Sequence, residues 1–259
     1  MSCNEIIEMI KEKTGKMSYR LIFNEDTSPK LQDSKLGGIP YWTEDLEYPL
    51  SEDEEKLALL IQLNFEQLKF EAPLPKNGIL QIFVPMNDYQ CGSDWEEPDV
   101  QKNFKLIYHE TVDYEITIEQ VLDMEVLNPK DYSGLEFYPV KKECSISYQQ
   151  EMTFIDPQDY RFEEFFEELA EEYDISDEDE DEIIEAIAQE GSRILGNPSF
   201  VQEDERDEDT SYNTLLLQLD SESDEVLNCG DSGILSFFIN EDDLKDLSFN
   251  NVMYIAANC

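Results

Sequence analysis

The sequence predicts an α+β protein. It would consist of two similar antiparallel β-rich halves from an internal duplication, with helices at the N-terminus and between the halves. Three observations carry this reading. Most apolar runs are short, β-branched or aromatic, and fenced by turn residues, which is a strand signal. Regular strand–helix alternation is absent, which argues against a doubly wound parallel sheet. Three segments also recur in the same order at nearly one offset, the mark of a repeated unit.

The elements follow in chain order. Residues 4–13 read as a helix capped by Asn4, with Ile6, Ile7, Met9 and Ile10 apolar and Gly15 as the stop. Strands are expected at 19–23, 57–63, 78–84 and 104–109. A short helix follows Thr117, and strands at 144–148 and 152–155 come next. Helices are expected at 161–173 and at 177–190, the latter capped by Ser176 with Asp179 three residues on and closed by Gly191. Strands at 214–219, 233–239 and 252–256 complete the chain, with a short helix at 241–247 capped by Asn240 with Asp243 as its partner.

The repeat pairs Leu36–Asp45 with Leu195–Asp204, 57–68 with 213–224, and 78–88 with 233–243, at offsets of 159, 156 and 155. One pseudo-symmetric domain over 1–259 is expected. Its halves are 18–110 and 195–259, with residues 111–194 between them.

Charge is the unusual quantity. Lys and Arg number 18, Asp and Glu 62, and the formal net charge is −44. Such a field repels nucleic acid and anionic membrane and attracts basic proteins and divalent cations. No apolar run is long enough to span a membrane. The N-terminus also lacks the pattern of a signal peptide, so a cytoplasmic protein is expected. Cys3, Cys91, Cys144, Cys229 and Cys259 are widely spread and read as reduced, unconnected thiols.

Cys229-Gly230-Asp231-Ser232-Gly233 looks like the nucleophile loop of a serine protease. The repeat explains it differently. Ser232-Gly233 holds the place of Asn77-Gly78, a polar–glycine pair leading into the equivalent strand, so a tight turn is expected. The single histidine, His109, lies inside a predicted strand without protease flanks.

Residues 163–190 contain no Lys or Arg. An EF-hand loop started at Asp174 fails, because Asp179 stands where glycine must allow the sharp turn and Asp181 where an apolar residue packs. The segment instead reads as two helices with solvated acidic faces, buried through Phe162, Phe165, Phe166, Leu169, Ile183, Ile184 and Ile187. No metal site and no cofactor are predicted, and no phosphate-cradling loop or nucleophile elbow appears.

Gln62 and Gln218 occupy equivalent places in two apolar strands. They read as amides bonded to a neighbouring loop or, alternatively, as polar groups lining a cleft shared by the halves. GGIPYW and GNPSFV are expected to meet near the pseudo-twofold axis, where a cleft would sit. Trp42 and Trp95 are the candidate exposed aromatics, and Gln202 and Asp231 are further candidate ligand-binding groups.

LPKNGILQIFV (74–84), MNDYQCGSDW (86–95), ILGNPSFVQEDER (194–206), GDSGILSFFI (230–239) and the VMYIAANC tail resemble the YwqG-like bacterial family, a domain of unknown function. The resemblance covers roughly residues 18–259 and implies a cytoplasmic α+β protein with two similar β-rich halves. It implies no established reaction and transfers no catalytic residue. Members often carry Trp before the last Gly-Asp and a Trp-Asp-Cys tail, where this chain has Cys229 and Ala257-Asn258-Cys259.

The preferred functional reading is a non-enzymatic interaction module for a basic protein partner, of the inhibitor or immunity type. The alternative is an enzyme or small-ligand receptor that uses a cleft between the halves. A third reading makes the charge an adaptation to salt. The sequence sets no oligomeric state.

Overall fold

A computed structural model describes residues 2–132, 134–221, 225–230 and 232–257. Its architecture is α+β. Helix α1 (Cys3–Thr14) leads into β1 (Lys16–Asn24), then β2 (Lys35–Leu36), β3 (Ala58–Asn64), β4 (Ile79–Val84) and β5 (Lys105–His109). Helix α2 (Ile118–Asp123), β6 (Cys144–Thr153), α3 (Phe162–Tyr173) and α4 (Asp177–Ile187) follow. The chain continues through β7 (Arg193–Ile194), β8 (Thr214–Asp220), β9 (Ile234–Ile239), α5 (Glu241–Lys245) and β10 (Val252–Ala257).

The strands form one ten-stranded sheet, curved as a half-barrel, in the order β10-β9-β8-β7-β1-β6-β2-β3-β4-β5. The pairings are antiparallel. β1 and β6 make the longest ladder, from Lys16↔Thr153 to Asn24↔Ser145, at the centre. β6 runs unbroken where two strands are expected. Gln149, Gln150 and Glu151, which read as a break, face Arg20, Tyr19 and Ser18 across the ladder, on a strand covered on one side only.

Side-chain alternation sorts the apolar residues onto two faces. Leu80, Ile82 and Val84 of β4 join Leu235, Phe237 and Ile239 of β9 in one core, which also takes Tyr19, Leu21 and Tyr254. Ile79 and Phe83 point the other way, into a cluster with Tyr41, Trp42 and Val121 of α2. Phe238 of β9 does the same, with Leu215, Met253 and Ile255. Strands covered on both sides need near-continuous apolar sequence, and every residue of β3, β4 and β9 is buried.

The two edge strands are bridged. Tyr254 N donates to Pro98 O at 2.8 Å, Ala256 N to Ser93 Oγ at 3.2 Å, and Gln101 Nε2 to Phe249 O at 2.7 Å. Phe104 packs its ring against Tyr254 and Phe237.

Several local expectations change. Ser2, not Asn4, caps α1, in a capping box with Glu5. α4 ends at Ile187, capped at Ala188, before Gly191 is reached. At α5, Asn240 accepts from Asp242 N. In the turns before β4 and β9, Gly78 has φ +92°, and a Cβ there would meet His109 O at 2.5 Å. In the second turn the positive φ falls on Gly230 and Ser232, and Gly233 is not among the residues with positive φ. Both turns still receive the same bond, from Phe65 N to Gly78 O at 3.0 Å and from Ser221 N to Gly233 O at 3.2 Å.

Candidate functional site: a groove between two acidic helices

In α3, Phe162, Phe165, Phe166 and Leu169 recur at helical spacing and turn one stripe inward. In α4 the inward stripe is Ile183 and Ile187, with Ile184 half-buried. These stripes meet Ile6, Ile7 and Ile10 of α1 in a helical core separate from the sheet. α4 packs closely on α1. Between α4 and α3 lies a groove of about 700 Å³.

Phe162, Phe166, Ala170 and Ile184 supply the apolar floor of this groove. Phe162 and Phe166 stack with centroids 5.2 Å apart. Glu163, Glu167, Glu180 and Glu203 line it with carboxylates, and no Lys or Arg lines it. Residues Pro157–Tyr160 close one end together with Asp204. Asp204 N donates to Gln158 O at 3.0 Å, which ties the two segments of that end together.

The two arginines beside the groove are already paired. Arg161 grips Asp159 with two bonds, Nε to Oδ1 at 2.7 Å and Nη2 to Oδ2 at 2.5 Å. Arg206 grips Asp204 likewise, at 2.9 and 2.7 Å, and lies 3.7 Å from Asp159. The Arg206 guanidinium also sits 4.0 Å from the Phe238 ring centroid. Both aspartate side chains are fully buried. The hydrogen bonds that Arg161 donates to Asp159 hold its pKa above the usual value. Two arginines thus neutralise two inner carboxylates, and the outer glutamates carry the surface charge. Burial raises the Asp156 pKa to about 6, with Gln158 and Phe200 amides opposing that shift.

Among the described residues, those expected to form a site are not brought together. Trp42 is buried, not exposed. It packs on Tyr48, Phe83 and His109 and donates Nε1–H to Leu46 O. Its turn-rich flanks suggested a surface position, but α2 and its neighbouring loops cover that face of the sheet. Trp95 is exposed, at 52%. Gln62 accepts from Tyr41 N at 2.9 Å and donates to Leu31 O and Asp33 O, both at 2.8 Å. Gln218 accepts from Ser199 N at 2.8 Å and donates to Gly191 O at 3.0 Å. Gln62 therefore braces loops of its own half, and Gln218 braces Ser199 of its half and Gly191 just before it. GGIPYW and GNPSFV do not meet across an axis. Gly38 lies against Glu143, and Gly196 against Ser18 and Thr153. Gln202 is exposed beside a water-sized cavity of about 20 Å³ over Ser236 and Phe238. Asp231 and Cys259 lie outside the described residues.

His109 Nε2 sits 2.9 Å from Gln81 Oε1, and burial lowers its pKa to about 4. Ser232 is exposed in its turn. The segment from Asp174, which fails as an EF-hand on sequence, is the C-cap of α3 followed by α4, and among the described residues no group of His, Cys, Asp and Glu converges to hold a metal. Among the described residues no helix is long and apolar enough to cross a membrane.

In the sequence, Phe162, Phe166 and Ile184 stand out as buried helix faces and the glutamates of 163–190 as solvated ones, but nothing marks a groove or the part of Ala170 and Glu203 in it. The available signal was the Phe-Phe and Glu-Glu alternation without a single countercharge. The separation of α3 from α4 has no such local mark. Over residues 34–259 the chain matches the family described as a domain of unknown function (DUF1963). No curated protein matches it.

Proposed function

This chain belongs to the DUF1963 family, a domain of unknown function, and on that premise we propose that it is a non-enzymatic binding module for a basic protein partner. The observation that carries the reading is the α3–α4 groove, lined by carboxylates without a cation. The helices forgo local stability for this field. Glu163 and Glu167 stand four apart on one face, where like charges repel. Neither helix has a basic residue in its last turn, where one would favour the dipole. A cationic partner would relieve both penalties.

Three further readings accompany it. The motifs at 74–84, 86–95 and 230–239 support a place among the YwqG-like members of the family. Free thiols at Cys3, Cys91, Cys144 and Cys229 support a reducing, cytoplasmic setting. An internal duplication is supported by paired details. Ser34 and Asn64 exchange the same two bonds as Ser192 and Asp220, and the bulges after Leu59 and Leu215 are 156 residues apart.

Affinity capture from lysate tests the function, using the wild type and Glu163→Lys/Glu167→Lys. The wild type should retain basic proteins and release them near about 0.5 M salt, where screening shortens the Debye length to a few ångströms. The double variant should retain far less. Equal capture by both proteins, or capture indifferent to salt, would refute the reading.

A further inference from the structure

We propose that the groove between α3 and α4 receives a short amphipathic helix of the partner, with its apolar side down and Lys or Arg on both flanks. The inference rests on the binding-module reading above and deepens it. Charge alone would be served by any exposed acidic surface, and this chain has many. The groove differs in having an apolar floor. Phe162, Phe166 and Ala170 from α3 face Ile184 from α4. Phe162 and Ala170 stand eight positions apart, a length of about 12 Å at 1.5 Å per residue, or roughly two helical turns.

The shape suits a helix more than an extended strand. α1, α4 and α3 already share one apolar core, and the space between α4 and α3 is where a further helix would join them. Ala170 is small and half-buried, so a backbone can approach closely there. Carboxylates stand on both walls, with Glu163 and Glu167 on α3 and Glu180 on α4. A helix with large apolar residues at i, i+3, i+4 and i+7 and cations between them would satisfy floor and walls together. Arg161 and Arg206 are each paired with a buried aspartate, and no Lys or Arg is among the residues that line the groove.

Two synthetic peptides of equal positive charge test this by fluorescence anisotropy on the full chain. One carries Leu at i, i+3, i+4 and i+7 with Lys between. The other replaces each Leu with Ser. The amphipathic peptide should bind at least tenfold more tightly and gain helical circular dichroism on binding. Ala170→Leu fills the groove with a good helix former, so the fold is kept. It should erase the tenfold preference while leaving the Ser peptide unchanged. Glu163→Gln/Glu167→Gln should weaken both peptides. Equal binding of the two peptides that remains sensitive to the glutamates would overturn the helix inference and spare the acidic-module reading. If the glutamate substitutions change neither affinity, that reading falls as well.

Discussion

Strands β2–β5 and β7–β10 leave the central β1–β6 ladder in opposite directions with the same pairing order, yet their outer faces are finished differently. In the first set, Gln62, Gln81 and His109 form a buried chain of polar groups beneath Tyr41 and Trp42, and residues of α2 seal it. In the second set the positions of Gln81 and His109 in the ladder fall to Ser236 and Ala257. There the cover is Phe200, Tyr212 and the Arg206 guanidinium. One frame thus carries two kinds of lid, an aromatic–amide lid and an ionic one. The ionic lid is also the wall of the acidic groove, because Arg206 holds Asp204. The frame sets the sheet, and the cover decides what each face can do.

The sharpest way to break the comparison is at the paired amides. Gln62→Leu should cost about 4 kcal/mol, because it strands Tyr41 N and two loop carbonyls away from their amide partner. Gln218→Leu should cost less, about 2 kcal/mol, since one amide and one carbonyl lose partners. Urea unfolding of both variants reads the difference, and equal losses would mean that the two braces are equivalent.

Acid should separate the halves next. His109 has its folded pKa lowered to about 4 from 6.5, so the unfolded chain takes up a proton first. Its contribution is fully present above pH 6.5 and is lost as pH falls toward 4. Asp156, against Phe200 in the second half, has the opposite sign. Its folded pKa is raised to about 6 from 3.8, so acidification through that window adds stability. Each shift corresponds to about 3 kcal/mol. Relative to wild type, His109→Gln should gain stability between pH 6.5 and 4, and Asp156→Asn should lose it. Unfolding curves across that range check both, and parallel curves would refute the assignments.

The smallest expected effect concerns Gly38 and Gly196, which share φ +83°. A side chain at either position is strained. At Gly38 the new Cβ would meet the flexible Glu143 carboxylate, which can move. At Gly196 it would meet Thr153 Oγ1 at 2.5 Å and Ser18 Cβ at 2.6 Å, both buried. Gly38→Ala should therefore cost about 1 kcal/mol and Gly196→Ala about 2 kcal/mol or more, read by thermal unfolding.

Much of the frame was legible in the sequence because it obeys local rules. The Ser176 cap and the apolar stripe of α3 announce themselves within a few residues. β2 and β7 do not. Each is two residues long and begins with a cation, Lys35 or Arg193, that is almost fully buried. A charge normally marks surface. These are tolerated because carbonyls meet them, from Leu31 and Ile39 for Lys35 and from Gly191, Glu190 and Asn197 for Arg193. Such partners are supplied by the folded loop and leave no trace in residue type. Trp42 misled for the reverse reason, since its cover comes from residues some eighty positions later. The groove was half legible: its residues could be named, but the distance between two helices is set by what they rest on.

The clamp that residues 93–101 place on β10 has a consequence for biosynthesis. An unpaired strand edge is a template for association with other chains. β10 is made about 150 residues after its partner loop is complete. The shield therefore precedes the edge it covers, and a nascent chain can cover that edge as soon as β10 emerges. A truncated product holding only the C-terminal half would emerge with that edge bare, and aggregation should be its fate.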